Sequence, residues 1–324
     1  MRLLLVELSR YFSRRAVVLV LLLAALLTAY VAASTIWATR PVTAEARASA
    51  QAQAQQEAAQ PQFKAQLREC RDNPQEFFGD DVTADACDQM LPRAENYLVR
   101  EHLDLRKQVE GNGVAVAVLV AALMVIAGTT FAGADWASGS LSNQLLFVPR
   151  RRAVWSAKAG AVVLATAVVA AVVLVAYWLT LYLVAHSRGT ATGAAVQEQV
   201  RWLLARSVLL AVAGGLGGYA MTMLLRHTVG TLGLLFAYAA GGEALLAVLP
   251  IDRSARWSPA SNVFAWLRDG VRVYDDSVVC APTQAASCDQ RFPISLEHGA
   301  TYLAVVLLLA VLVSLWSFHR RDVP

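Results

Sequence analysis

Charge is what this chain has least of. Of its 324 residues only 16% are Asp, Glu, Lys or Arg, while 57% are apolar. An ordinary soluble domain carries about 25% charged residues, so lipid is the expected main solvent. The net charge of +4 is too small to argue for nucleic acid, and no such partner is expected. Recognisable catalytic motifs are missing too. There is no G-x-x-x-x-G-K-[ST] phosphate loop, no H-E-x-x-H, no G-x-S-x-G and no pair of carboxylates inside an apolar run. Nothing points to an enzyme, a directly bound cofactor or a metal. The four cysteines are widely spaced, and neither His102 nor His298 stands in a ligand pattern.

What is present is a series of long apolar runs. Crossing roughly 30 Å of hydrocarbon takes about 20 helical residues. Six windows qualify: 16–38, 114–134, 160–185, 207–225, 228–249 and 302–318. The first is too long for a signal-peptide core and is expected to remain as a span. In lipid the backbone must satisfy its own hydrogen bonds, so each window is expected to be a helix. The expected class is an all-α polytopic membrane protein with six spans. Trp37, Trp136, Tyr182, Trp316 and Phe318 suit the headgroup level, with Trp178 set deeper.

Sidedness follows from the basic residues. The N-terminus, segment 135–159, Arg226 and the C-terminal tail 319–324 together hold eleven basic and three acidic residues, a net of +8. Everything else sums to −4. Basic short loops mark the cytoplasmic side, which puts both termini in the cytoplasm. All four cysteines then fall in the outer loops, where oxidation is permitted. Three pairings are possible; Cys70–Cys87 and Cys280–Cys288 are favoured because each closes a loop within one segment.

Residues 1–15 place Leu4, Leu8, Tyr11 and Phe12 on one helical face and Glu7, Arg10 and Arg14 on the other. This pattern predicts an amphipathic helix lying in the interface. The outer loop 39–113 opens with a helix-forming stretch, Ala44–Gln60, that has almost no apolar face. Pro61 interrupts it, the first cysteine pair follows, and residues 93–110 read as helix again. Segment 186–206 is expected to be a modest outer loop. In loop 250–299, a short helix from Ser258 is expected to be capped by Ser261 or Asn262.

Two features lie within the spans. Gly214 to Gly218 gives a G-x-x-x-G spacing, open to a helix–helix contact or to incidental small residues. Glu243 is the one acid inside an apolar window. A buried charge is costly, so it marks either a functional site or a break at Gly241–Gly242 that leaves it near the outer surface.

From Gly133 the chain reads GADWASGSLSNQLLFVPRRRAVWSAK. An acid precedes a small-residue turn; Leu141, Leu145 and Leu146 follow, then Pro149, Arg150, Arg151 and Arg152, and Lys158 at the mouth of the third span. This describes a short amphipathic helix ringed by positive charge. The segment resembles the first cytoplasmic loop of the ABC type-2 permeases, the membrane subunits of ATP-driven exporters. Asp135 stands where that family commonly has Glu, and Ser140 where it has Thr; Gly139, Leu141, Leu145, Leu146, Pro149 and Arg152 fit. The resemblance extends to the amphipathic start, the six spans, the large first outer loop and a short or re-entrant helix after the fifth span, around 250–267.

The resemblance implies a permease in the plasma (bacterial inner) membrane, paired with a second copy or a related subunit. Two cytoplasmic ATPase subunits would carry ATP and Mg. Segment 135–152 would couple to them, and Gly214, Gly218 and Glu243 would be candidates for the translocation path. Two other classes stay open: an ion-coupled transporter using Glu243, and a non-transporting sensor or assembly protein.

Overall fold

The computed structural model describes residues 2–78, 83–98, 103–190, 192–248, 253–274 and 290–321. The helices run in chain order as α1 (Arg2–Ser13), α2 (Arg15–Ala38), α3 (Ala44–Ala59), α4 (Pro61–Asp72), α5 (Pro74–Phe78), α6 (Leu105–Glu110), α7 (Asn112–Ala137), α8 (Ser140–Phe147), α9 (Arg151–Ser187), α10 (Ala194–Leu225), α11 (Thr228–Phe236), α12 (Gly242–Val248), α13 (Pro259–Arg268) and α14 (Leu296–Arg320). A π segment, Ala237–Gly241, joins α11 to α12. Among the described residues six stretches are helical, long and apolar enough to cross a membrane: Arg15–Ala38, Leu105–Ala137, Arg151–Ser187, Ala194–Leu225, Thr228–Leu246 and Leu296–Arg320. The protein is thus predominantly helical and multi-spanning in character.

Several helices outrun their apolar windows. The third begins nine residues earlier, at Arg151, and the fourth thirteen earlier, at Ala194. Hydropathy registers only the part of a helix that lipid would surround; a helix continues wherever its backbone bonds do. Segment 186–206 is accordingly a short connection followed by the first turns of α10.

The chain divides into two compact units. The larger comprises residues 1–32, 104–187 and 191–324. Its centre is α7, where Val116, Val120, Met124, Ala127 and Phe131 are buried. Helix α10 lies against it at very close range. A Cβ on Gly218 would stand 2.4 Å from the Val125 carbonyl oxygen, and one on Gly214 3.0 Å from that of Ala121. Only glycine lets two helical backbones approach so closely. This decides the reading of Gly214 and Gly218: they form a closed helix–helix seam. Trp178 is buried against the start of α7, where a Cβ on Gly113 would touch its ring.

At one end of this unit α13 packs beside the start of α14. Ser258, not Ser261 or Asn262, caps α13, its hydroxyl accepting from the Ser261 N–H at 3.0 Å; Pro259 at the first helical position fixes the start one residue later. Arg268 donates to the Glu110 carbonyl at 2.8 Å and Trp266 to that of Arg206 at 2.9 Å. A two-stranded antiparallel ladder that the apolar pattern did not anticipate, β1 (Val271–Tyr274) and β2 (Arg291–Ile294), follows α13. Its inward Phe292 and Ile294 cover Ala265.

The smaller unit comprises residues 33–103 and 188–190. Thr43 caps α3, accepting from the Ala46 N–H at 3.2 Å, and α3 buries only Ala50 and Ala54. Cys70 and Cys87 are joined as a disulfide, flanked by an Arg71–Asp88 ion pair at 2.8 Å. The Arg188 guanidinium donates to the Thr39 and Ile36 carbonyls at 2.7 and 3.2 Å, satisfying orphan acceptors at the end of α2. Residues 93–110 are not one helix. Two 3-10 turns, Ala84–Met90 and Ala94–Tyr97, precede α6. Cys280 and Cys288 lie outside the described residues.

The α7–α10 seam makes a prediction. Gly218→Ala drives a Cβ into the Val125 carbonyl and is expected to cost about 1–3 kcal/mol by overpacking. Gly217→Ala, whose Cβ would meet nothing nearer than a Leu307 methyl at 3.7 Å, is expected to hold or slightly raise the melting temperature of the detergent-solubilised protein, since alanine is favoured over glycine inside a helix by about 1 kcal/mol. Equal melting temperatures for the two variants would contradict the seam.

Candidate functional site

The N-terminal helix departs from its amphipathic pattern in an instructive way. Glu7 and Tyr11 are fully buried, while Leu5, Val6 and Phe12 are exposed. Tyr11 belongs to the apolar face, but Glu7 comes from the polar one and does not look outward to water, as the sequence pattern suggested. It is drawn inward by Lys158, a lysine near the start of α9 with no exposed surface. The Lys158 ammonium reaches Glu7 Oε2 at 2.7 Å and Asp135 Oδ2 at 2.5 Å, with the Phe131 ring 5.4 Å away on its apolar side.

The remaining carboxylate oxygens are also engaged. Glu7 Oε1 accepts from the Gln144 amide at 2.6 Å and from Arg10 at 3.3 Å. Asp135 Oδ1 accepts from the Ser140 hydroxyl at 2.7 Å and from Arg14. Arg10 also donates to Ser140 Oγ and Gln144 Oε1, both at 3.2 Å. Two acids and three bases thus share one network, with the arginines on its rim. Burying charge is tolerable only when every lone pair finds a donor, and all four carboxylate oxygens do.

The network fastens four elements: α1, the last turn of α7, α8 and the first turns of α9. Further bonds hold that end of α9. Tyr219 of α10 donates to the Trp155 carbonyl at 2.9 Å, and the Trp155 indole donates to Ser314 of α14 at 3.3 Å. Trp136 packs edge-on to Phe318 and under the Arg226 guanidinium.

Helix α8 hangs from this assembly. The chain leaves α7 at Ser138, and Gly139 takes the left-handed conformation with φ +65°, a reversal that a side chain would disfavour. Ser140, Leu141 and Gln144 then face inward, Leu141 fully buried. Leu146 and Phe147 face outward, 79% and 85% exposed. Pro149, Arg150 and Arg152 are exposed beside them, and Leu145 is half-buried.

The residues singled out from the sequence therefore separate. Gly139, Leu145, Leu146, Pro149, Arg150 and Arg152 lie on or beside an outward-facing knob. Asp135 does not. It belongs to α7 and is buried, because Lys158, Ser140 and Arg14 converge on it. Arg151 is half-buried in α9 and donates to the Arg321 carbonyl at 2.6 Å, closing the end of α14. Gly214 and Gly218 sit in the α7–α10 seam. Glu243 lies just after the π segment, its carboxylate accepting from the Ser258 hydroxyl at 2.5 Å and the Ala260 N–H at 3.0 Å.

Glu7, Gln144 and Lys158 are the members of this network that the motifs do not single out. A signal existed for two of them. Glu7 is the only acid before Glu45, and Lys158 is one of three lysines in the chain and stands among apolar neighbours. Comparison with protein-family models, curated proteins and solved structures finds no match.

Removing the hub leaves two carboxylates facing each other without their cation. Lys158→Met is expected to destabilise the detergent-solubilised protein by roughly 3–5 kcal/mol, the usual cost of breaking a buried pair. It should also open Arg10 and Arg14 to trypsin. Adding Glu7→Gln and Asp135→Asn to Lys158→Met should restore most of the melting temperature, since no uncompensated charge is left buried. If the triple variant is no more stable than the single one, packing rather than charge holds this junction.

Proposed function

We propose that the chain is the membrane-spanning subunit of an ATP-driven exporter, with α8 as the element that engages separate nucleotide-hydrolysing subunits. The observation that carries this reading is α8 itself. It is about 12 Å long and lies between two apolar helices of spanning length. It turns Leu146 and Phe147 outward beside Arg150 and Arg152. Two large apolar side chains held out by a rigid, charge-locked mount suit the pocket of a folded partner.

In this reading α1, α8 and both termini face the cytoplasm of a plasma (bacterial inner) membrane, as the excess of basic residues at that end favours. The loops bearing Cys70, Cys87, Cys280 and Cys288 face outside. Two copies of this chain, or this chain and a related subunit, pair within lipid above two ATPase subunits that bind ATP and Mg. Closure of the ATPases pushes on α8, and the Lys158 network passes that push to α1 and to the ends of α7 and α9 as one body. Asp135 and Arg151 act here as positioning residues inside that body and not as direct contacts. A sensor or assembly protein would give the apolar knob on α8 no task, and a single intramembrane acid, Glu243, is a slender basis for an ion-coupled cycle.

The test is affinity purification from native membranes. The unsubstituted chain should bring down a subunit that binds ATP. Leu146→Asp combined with Phe147→Asp should reduce that recovery at least ~10-fold, as expected for central apolar anchors, while melting as the unsubstituted chain does. A cysteine introduced at Asn143 should react with a membrane-impermeant maleimide only in inverted vesicles. Reaction in right-side-out cells, or a purified assembly that never contains a nucleotide-binding chain, would overturn the proposal.

A further inference from the structure

At the end of the larger unit remote from the ion cluster, the π segment Ala237–Gly241 interrupts the fifth long helix. Residues five apart on an α-helix are turned by roughly 140° from each other. A π turn, bonded i→i+5, brings them onto one side. Tyr238 and Glu243 are five apart across this segment, the spacing that a π turn brings to one side.

Their polar atoms are oriented alike. The Tyr302 hydroxyl donates its one proton to the Trp257 carbonyl at 3.1 Å. In its hydrogen bond with Tyr238 it must therefore accept, so the Tyr238 hydroxyl is the donor there. The Tyr238 oxygen is left with lone pairs and no proton to offer. Glu243 commits Oε1 to Ser258 and Ala260, whereas Oε2 accepts no hydrogen bond among the described residues. None of the cations described there forms an ion pair with Glu243. Because Ser258 follows Trp257, the Glu243 and Tyr302 attachments are adjacent along the chain. Trp257 and Tyr238 are 57% and 41% exposed, and Leu234, one turn before Tyr238, is exposed as well.

The geometry points to a binding site for a lipophilic organic cation, its ammonium or phosphonium centre held by Glu243 and the Tyr238 oxygen and its apolar body lying against Trp257 and Leu234. Acceptors without a donor, a carboxylate in an apolar helix that no described cation neutralises, and aromatic faces together select a positive charge. An anion would meet Glu243 head-on. The carboxylate is partly offset by the N-terminus of α13, and two hydrogen bonds fix its position, so the site is built before a ligand arrives. That such a cation is cargo rests on the exporter reading; the binding itself needs no ATPase.

The same chemistry exists in the ammonium of a phosphatidylethanolamine headgroup and in free amphiphilic cations, and the test separates them. The purified chain is placed in nanodiscs of uncharged digalactosyl lipid, and equilibrium binding of tetraphenylphosphonium is measured with empty discs subtracted. Saturable binding is expected. Glu243→Gln, which keeps acceptors for Ser258 and Ala260, should weaken it at least ~10-fold, about 1.4 kcal/mol. Tyr238→Phe, which leaves the Tyr302–Trp257 bond in place, should weaken it ~3-fold. Tetraphenylborate should not bind saturably. If added phosphatidylethanolamine competes with the probe in the unsubstituted chain, the lipid headgroup supplies the cation; if it does not, the ligand is a free one. Unchanged affinity in a normally melting Glu243→Gln variant, or saturable binding of tetraphenylborate, would overturn the site without touching the ATPase proposal. Loss of the ATPase partner would likewise leave this measurement standing.

Discussion

A single buried ammonium between two carboxylates organises one end of this protein. Lys158 is within 2.7 Å of Glu7 and 2.5 Å of Asp135, and those two acids in turn collect Arg10, Arg14, Ser140 and Gln144. Such a cluster is an expensive choice for stability, since well-packed apolar side chains often do as well. Its physical advantage is directional. Apolar contacts tolerate sliding, whereas a lysine shared by two acids fixes the register of α1 against α9 and of α8 against both. Lysine suits the position because its charge is compact and its donors can swing between partners, unlike the planar guanidinium of arginine.

The rest of the larger unit divides into firm and open regions. Helices α7 and α10 meet backbone to backbone along Gly214 and Gly218, and little can shift there without a clash. Helices α11, α12 and α14 expose much of their apolar surface, including Leu234, Phe236, Leu245, Leu308, Leu309 and Leu312. These faces have lipid or a neighbouring chain as their natural surroundings. The firm seam and the ion cluster share α7, so in the exporter reading a displacement of α8 would be passed to the helix that carries the seam.

Much of this fold was legible in the sequence, for a simple reason. Lipid imposes one rule, about 20 apolar residues per crossing, and six windows obey it. The exposed knob was legible as well, because Gly139, Leu146 and Pro149 mark a turn, an outward apolar side chain and a stop. What composition could not reveal was which face of α1 turns inward. An amphipathic pattern says that two faces differ; it does not say that a lysine 151 positions away will claim the polar one. The same limit explains Asp135, which looked like a loop residue until Lys158 and Arg14 drew it into the interior. The cap of α13 was misjudged by three residues, since hydroxyl residues at 258 and 261 qualify equally from sequence and only Pro259 separates them.

Helix α9 runs unbroken from Arg151 to Ser187, 37 residues, which amounts to about 55 Å. That is nearly twice the thickness of the hydrocarbon layer. The excess gives α9 a length of helix that hydrocarbon does not surround. A rod of this length swung by ~5° about one end carries the other through about 5 Å, as far as one turn of helix. In the exporter reading, with Lys158 near one tip and the connection to α10 at the other, a small angular change at the charged end would become a displacement of that size at the far one.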